Sequence, residues 1–192
     1  MAVEIAEGSP LVYISFSAEI IPTTTESLIA AMATCAIKHV HSVCLLMSTP
    51  GGSVMNGMNL YNVLRGMPFE LSTHNVGNVD SIGNAVFLAG TKRYATYNAT
   101  FMFHGVGYSV EQKVRLEEKD CREKLDGILN DQQRIGLIMT QHTRLTNIEI
   151  PLLFREARTK DVSYAIEKGI IDEIRDVQIS PGCPIISFVF NR

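Results

Sequence analysis

Three short segments carry residues that could together perform nucleophilic chemistry. The first, residues 74–90, reads HNVGNVDSIGNAVFLAG and places Ser81 between a glycine-containing stretch and an apolar run. If Ser81 begins a helix, the unpaired N–H groups and the positive end of the helix dipole favour an oxyanion beside its hydroxyl. With a neighbouring base, Ser81 could then act as a nucleophile. The competing interpretation is an N-cap serine that only closes a buried helix.

The other two segments offer an oxyanion donor and a base. The loop TPGGS (49–53) has two glycines, which let backbone N–H groups approach a ligand closely. His104 ends the strand candidate ATFMFH and precedes Gly105, a position from which an imidazole can act as general base. Each segment also has a structural explanation, a tight turn for the loop and a hydrogen-bonded structural histidine for His104.

The elements that would position these segments alternate between strand and helix. Runs rich in apolar and β-branched residues predict strands, and apolar residues at helical spacing between the first of them predict helices. The strand candidates are 11–16, 42–48, 69–76, 93–97, 99–104, 170–174 and 184–190. Shorter helices are predicted at 82–89, at 147–156 and after Asp161, a residue suited to an N-cap. This order predicts an α/β fold with a mainly parallel sheet, in which ligands collect beyond the carboxyl ends of strands.

A long amphipathic helix is predicted over about 110–143. Its apolar residues mark one face, and the other face is densely charged. The chain has no internal repeat, low-complexity segment or linker, so we expect one domain over residues 1–192.

Composition excludes several classes of function. The chain of 192 residues is 46% hydrophobic and 19% charged, which is typical of a soluble globular protein. Its formal charge of -3, without a Lys/Arg cluster, argues against nucleic-acid binding. No apolar stretch reaches the roughly 18 residues of a membrane span. The acidic N-terminus is unlike a signal peptide, so we expect no membrane association and a cytoplasmic location.

Cysteine and histidine spacing does not predict a metal site. The four cysteines form no CxxC pair, and the five histidines form no HExxH motif. We therefore expect reduced structural thiols and no bound metal.

Taken in order, PGG, NVDSIGNAVFLAG and FMFHG resemble the ClpP family, the self-compartmentalising serine peptidases of the Clp protease system. The resemblance extends to GMNLYN, to the long charged helix (the handle of this family) and to KGIIDEI, over roughly residues 10–175. It implies a ClpP/crotonase-like spiral of β-β-α units with a protruding handle. It also implies Ser81 as nucleophile, His104 as base, and the N–H groups of Gly52 and Ile82 as oxyanion hole.

Two departures from the family pattern concern the base. His104 is followed by Gly-Val-Gly, where the family has Gln-Pro. The family's third triad member is an Asp four residues before the cap of its last helix, which corresponds to Ala157 if Asp161 is that cap. A shift of one residue would bring Glu156 to the imidazole. A Ser–His dyad, or an acid from elsewhere, is the alternative, and Asp80 is expected to point away.

The resemblance implies a serine endopeptidase that hydrolyses peptides or unfolded proteins through an acyl-enzyme, inside a homo-oligomeric chamber of stacked rings. It implies no cofactor in the chain itself, and ATP only through an AAA+ unfoldase partner. Because an orienting carboxylate contributes orders of magnitude to turnover, a missing acid predicts a weak or specialised peptidase.

Three other interpretations stay open. A crotonase-type acyl-CoA enzyme would share the spiral fold and the glycine-bearing oxyanion loop. A noncatalytic ring subunit would explain Ala157, although it would not need both Ser81 and His104. An enzyme like the signal-peptide peptidases would use a Ser–Lys dyad, with the base among Lys92, Lys113 and Lys119.

Overall fold

A mainly parallel sheet is the frame of the molecule. The computed structural model describes residues 4–108 and 115–188. The strands in this part of the chain are β1 (Val12–Ser17), β2 (Ser42–Thr49), β3 (Glu70–Asp80), β4 (Lys92–Ala95), β5 (Thr100–Met102), β6 (Thr159–Lys160), β7 (Glu173–Ile174) and β8 (Ile185–Ser187). The helices are α1 (Pro22–Ile37), α2 (Val54–Arg65), α3 (Gly83–Phe87), α4 (Glu118–His142), α5 (Glu149–Glu156) and α6 (Val162–Glu167). The predicted alternation of strand and helix is confirmed.

The sheet runs in the order β6-β5-β3-β2-β1-β8, with β4 beside the first part of β3 and β7 beside β4. Only β5 and β6 pair antiparallel among the described strands. β3 has two neighbours on one side: its residues 72–75 pair with β4, and 78–80 pair with β5. Because Asp80 lies opposite Met102, the chain leaves β3 at Ser81 close to where β5 ends and leads to His104.

The core forms between the sheet and the helices packed on it. Ile14, Phe16, Leu45 and Met47 of the central strands are fully buried, as are the helix side chains Leu28, Met32 and Leu60. Each such side chain stabilises the fold by about 1.5–3 kcal/mol. The core extends through α3 and β5 to Met139, Ile150 and Ala165. The predicted single domain over 1–192 includes residues outside the described ranges and stays a prediction.

The long helix begins later than predicted. α4 starts at Glu118, so the prediction of a helix from about 110 is wrong for residues 115–117, and residues 109–114 lie outside the described part. The Asp120 carboxylate accepts a hydrogen bond of 3.0 Å from the Glu117 N–H, and this contact caps the helix. No residue of α4 before Ile135 is buried, so its first half protrudes from the core.

Two smaller elements also differ in length from the prediction. α3 spans only Gly83–Phe87, because the chain is still in a turn at Ser81 and Ile82. The tail strand predicted over 184–190 is present as β8, which pairs in parallel with Tyr13–Ser15 of β1, and residues 189–190 lie outside the described part. Within residues 4–108 and 115–188, the structure contains no helix that is both long and apolar enough to cross a membrane.

Candidate active site

Ser81 occupies a strained turn between β3 and α3. Its φ of 56° lies in the left-handed region, which few residues other than glycine adopt. Its N–H donates a hydrogen bond of 2.8 Å to the Met102 carbonyl, which ties the turn to β5. The residue that caps α3 is Ile82, and no side-chain cap bond is present there. The interpretation of Ser81 as an N-cap serine is therefore wrong, because its hydroxyl does not cap α3.

The two glycines of the TPGGS loop lie directly against this turn. Gly51 and Gly52 have φ values of 91° and 142°, which side-chain-bearing residues rarely adopt. A Cβ on Gly51 would lie 2.6 Å from the Ser81 Cβ. A Cβ on Gly52 would collide with the carbonyl of Ile20, with which the loop makes a β-bridge. The loop can approach Ser81 this closely only because both residues are glycine.

Ser81, His104, Gly52 and Ile82 line one cavity of about 280 Å³. Within residues 4–108 and 115–188, the structure gives the N–H groups of Gly52 and Ile82 no acceptor. Two unpaired donors beside a serine hydroxyl are what an oxyanion hole requires. The roles of these four residues stay predictions, and the structure places all four together.

His104 follows β5 and is held by main-chain groups. Its Nδ1 lies 2.7 Å from the Gly105 carbonyl oxygen, so the Nδ1–H form donates to that carbonyl. Gly105 in turn donates its N–H to the Phe154 carbonyl at 3.0 Å, which fixes this segment to α5. The described part of the chain contains no hydrogen bond between Ser81 and His104. Catalytic hydrogen bonds are often long before a substrate is bound.

The remainder of the cavity wall is mostly apolar. It includes Val54, Phe103, Val106, Ile135, Met139 and Phe154. Such walls exclude water and strengthen electrostatic interactions inside the cavity.

The carboxylates near the end of α5 have other partners. The Glu156 carboxylate accepts from Lys160 Nζ at 3.1 Å, is half exposed, and does not line the cavity. Ala157 ends α5 in the left-handed conformation, with a φ of 49°. Asp161 caps α6 by accepting from the Tyr164 N–H at 2.9 Å. The structure therefore does not bring Glu156 to His104.

Asp80, the neighbour of Ser81, is also engaged elsewhere. Its carboxylate accepts a hydrogen bond of 2.7 Å from the Asn78 side-chain amide. This contact agrees with the expectation that Asp80 points away from the imidazole.

Three lysines were considered as the base of a Ser–Lys dyad, and the two that the structure describes do not line the cavity. Lys92 is exposed at the start of β4, and Lys119 is exposed in the protruding part of α4. Lys113 lies outside the described residues.

Asn84 is a site residue that sequence reasoning missed. Its side-chain amide donates to the Ser81 carbonyl at 3.0 Å and to the Met102 carbonyl at 2.9 Å. The side chain is only 1% exposed, and its Oδ1 has no hydrogen-bond partner in the described part of the chain. The sequence feature that could have identified Asn84 is its position as an amide residue within the apolar run that follows Ser81.

Three proteins with similar sequences are named as proteolytic subunits of ATP-dependent Clp proteases. The chain is 28% identical over 140 residues to the ATP-dependent Clp protease proteolytic subunit 1 of Leifsonia xyli subsp. xyli, covering 70% of this chain and 67% of that protein. It is 29% identical over 138 residues to the proteolytic subunit 2 of Thermobifida fusca, covering 69% and 64%. A third relative, the proteolytic subunit 1 of Streptomyces coelicolor, is 27% identical over 134 residues, covering 69% and 59%. The chain thus spans about two thirds or less of the length of these relatives.

A solved structure supports the predicted spiral fold. A ClpP1 mutant from Listeria monocytogenes superposes with a TM-score of 0.76 at 18% sequence identity, covering 86% of this chain and 92% of that one. This agreement confirms the predicted ClpP-like architecture. The model of the Clp protease family matches residues 11–178, well over half of the sequence. The chain belongs to the Clp protease family.

Proposed function

We propose that this protein is a serine endopeptidase that cleaves peptide bonds through an acyl-enzyme on Ser81. The observation that carries the proposal is the single cavity that contains Ser81, His104 and the unpaired N–H groups of Gly52 and Ile82. Those are the nucleophile, the base and the oxyanion donors that acyl transfer requires. The relatives' names, as proteolytic subunits, support the same conclusion.

The proposed reaction has two halves. His104 accepts the proton of the Ser81 hydroxyl as Oγ attacks the peptide carbonyl, and the N–H groups of Gly52 and Ile82 bind the oxyanion. The imidazolium then gives this proton to the leaving amine, and the acyl group remains on Ser81. In the second half His104 deprotonates a water molecule, which releases the acyl group and restores the serine.

Peptides or unfolded proteins are the proposed substrates, inside a chamber formed by copies of this chain in the cytoplasm. The protruding half of α4 exposes Leu125 and Leu129, which a second copy would cover. No cofactor is proposed for the chain itself. The term ATP-dependent in the relatives' names supports an AAA+ unfoldase as the partner that would supply ATP hydrolysis.

The first experiment is covalent labelling with a fluorophosphonate probe, read by peptide mass mapping. Ser81 Oγ attacks phosphorus, fluoride leaves, and His104 takes the serine proton. We expect one labelled site, Ser81, and loss of labelling in Ser81→Ala. In His104→Ala the rate should fall by ~10²–10⁴.

Two residues that do not line the cavity provide matched controls. Ser27→Ala removes a half-buried serine and His39→Ala an exposed histidine, and both variants should label like the parent protein. An unlabelled Ser81 in the folded assembly would contradict the proposal and favour a noncatalytic ring subunit, the alternative that Ala157 supports. Membership in the Clp protease family leaves the crotonase-type alternative without support.

A further inference from the structure

We propose that the main-chain carbonyl of Gly105 orients His104, in the role that a carboxylate fills in a Ser-His-Asp triad. The inference rests on the proposed function, because it concerns how the base of that reaction is held. It makes Gly105 a positioning residue, which acts on Ser81 only through the imidazole.

The geometry at the imidazole carries the first step. The 2.7 Å contact between His104 Nδ1 and the Gly105 carbonyl requires a proton on Nδ1, because a carbonyl oxygen can only accept. The hydrogen bond made by one ring nitrogen sets the tautomer of a neutral imidazole. Nε2 then carries the lone pair, and it is the nitrogen that can take the proton of Ser81.

The second step is that this carbonyl is held in place. The Gly105 N–H donates to the Phe154 carbonyl at 3.0 Å, so α5 anchors the same residue whose oxygen faces the imidazole. α5 is itself anchored in the core through Ile150 and Leu153. A Cβ at residue 105 would lie 2.6 Å from Gln132 Oε1, so the segment also packs closely on α4. The orienting group is therefore part of a fixed backbone.

The third step is that three carboxylates considered for the site, all in the described part of the chain, are engaged elsewhere. Glu156 pairs with Lys160, Asp161 caps α6, and Asp80 is bound by Asn78. The residue at the end of α5, Ala157, has no polar side chain.

A carbonyl and a carboxylate differ in how strongly they stabilise the protonated form of His104. Either one fixes the tautomer, but only a carboxylate brings a full negative charge to the imidazolium that forms when Ser81 gives up its proton. The protein should therefore acylate slowly, and a carboxylate placed at the end of α5 should accelerate it. Ala157 suits this test because Asp and Asn tolerate its left-handed backbone.

The test combines a spectroscopic measurement with two isosteric variants. ¹⁵N NMR of histidine-labelled protein, assigned with His104→Gln, should show the Nδ1–H tautomer at His104 in the parent and in Glu156→Gln. Ala157→Asp should raise the fluorophosphonate labelling rate by ~10² and move the pH profile of labelling to higher pH. Ala157→Asn, which has the same shape without the charge, should label like the parent.

Three results would overturn the inference while leaving the proposed function intact. They are an Nε2–H tautomer at His104, a ~10-fold or larger loss of labelling in Glu156→Gln, and an Ala157→Asp variant no faster than Ala157→Asn. Absence of labelling in the parent and in Ala157→Asp alike would contradict the proposed function. The tautomer measurement still tests the inference in that case, because it does not depend on activity.

Discussion

Asn84 links the two segments that carry the proposed nucleophile and base. One buried amide group donates to the carbonyl of Ser81 and to that of Met102, two residues before His104. Its Oδ1 has no partner within the described residues, and a buried acceptor without a hydrogen bond costs about 1–3 kcal/mol. The two donated bonds must offset that cost, and they hold the turn of Ser81 against β5.

Asn84→Ala should slow the labelling of Ser81 more than it destabilises the fold. The substitution removes two hydrogen bonds, which lowers stability, but it also removes the buried unpaired acceptor, which raises stability. We therefore expect the free energy of unfolding, measured by urea titration, to fall by only about 1–2 kcal/mol. The labelling rate should fall ~10-fold or more, because small displacements of catalytic groups are costly. The exposed Asn62→Ala serves as the control. An unchanged labelling rate would limit Asn84 to a structural role.

Residue types and order, together with the resemblance to the ClpP family, were enough to propose Ser81, His104, Gly52 and Ile82 as site residues, and their roles stay predictions although the structure places the four around one cavity. Backbone conformation was not predictable in the same way. The left-handed turn at Ser81 follows from the pairing of β3 with β5, which joins parts of the chain about twenty residues apart. Glu156 was proposed from a shift of one residue. The direction of its side chain depends on the left-handed backbone of Ala157 at the end of α5. An alanine gives no sequence indication of that conformation, so it could not be predicted.

At the scale of elements, α5 supports the proposed base through the Phe154 carbonyl, and reciprocal hydrogen bonds between Thr146 and Glu149 fix the turn that leads into the helix. The Glu149 carboxylate accepts from the Thr146 N–H at 2.9 Å, and Thr146 Oγ1 accepts from the Glu149 N–H at 3.2 Å. Lys168 Nζ lies 2.8 Å from the same carboxylate. The ammonium of Lys168 and the donors of Thr146 lower the pKa of Glu149 from 4.5 to about 2.

This depressed pKa predicts a pH dependence of stability. Because Glu149 binds protons more weakly in the folded state, its stabilisation is complete above pH 4.5 and is lost as the pH falls to about 2. Lys168→Met should raise the pKa of Glu149, measured by NMR titration, and flatten the fall of the urea midpoint over this range. Lys119→Met, on the exposed part of α4, is the control. An unchanged Glu149 titration in Lys168→Met would show that the contact does not form in solution.

Hydrophobic spacing was sufficient to predict the order of elements, but not every boundary. The strands β1 to β3 were predicted because they are buried and apolar, and the helices between them because one face is apolar. The amphipathic pattern of α4 also covers the residues before it, so periodicity did not reveal the cap at Glu117. The tail strand was predicted from its composition. Its pairing with β1 joins the two ends of the chain, and no local pattern reports such a contact.

At the scale of the whole molecule, two histidines far apart in the sequence are shielded from solvent to different degrees, since His74 is buried and His142 is half-buried. His74 of β3 is 2% exposed, and its Nε2 lies 3.0 Å from the Arg175 carbonyl. His142, at the end of α4, lies 2.7 Å from the Tyr61 hydroxyl. Burial is the main cause that lowers the pKa of each below 6.5.

The charged neighbours of the two histidines differ. The hydrogen bond to the Arg175 carbonyl raises the pKa of His74 in part, whereas the Arg175 guanidinium lowers it, and Asp176 and Glu173 raise it. Around His142 the charged groups are cationic, since Arg65 and Arg93 both lower its pKa.

The fold should therefore lose stability in mild acid. The unfolded chain takes up protons on these histidines near pH 6.5, whereas the folded protein does so only at lower pH. Their contribution to stability is complete above pH 6.5 and shrinks as the pH falls below it. The Tm, measured at fixed protein concentration because an assembly would shift it, should fall between pH 7.5 and 5. His74→Gln and His142→Gln should each reduce this slope, even where they lower the Tm itself. The exposed His41→Gln should keep the parent slope, and a parent Tm that is constant over this range would contradict the prediction.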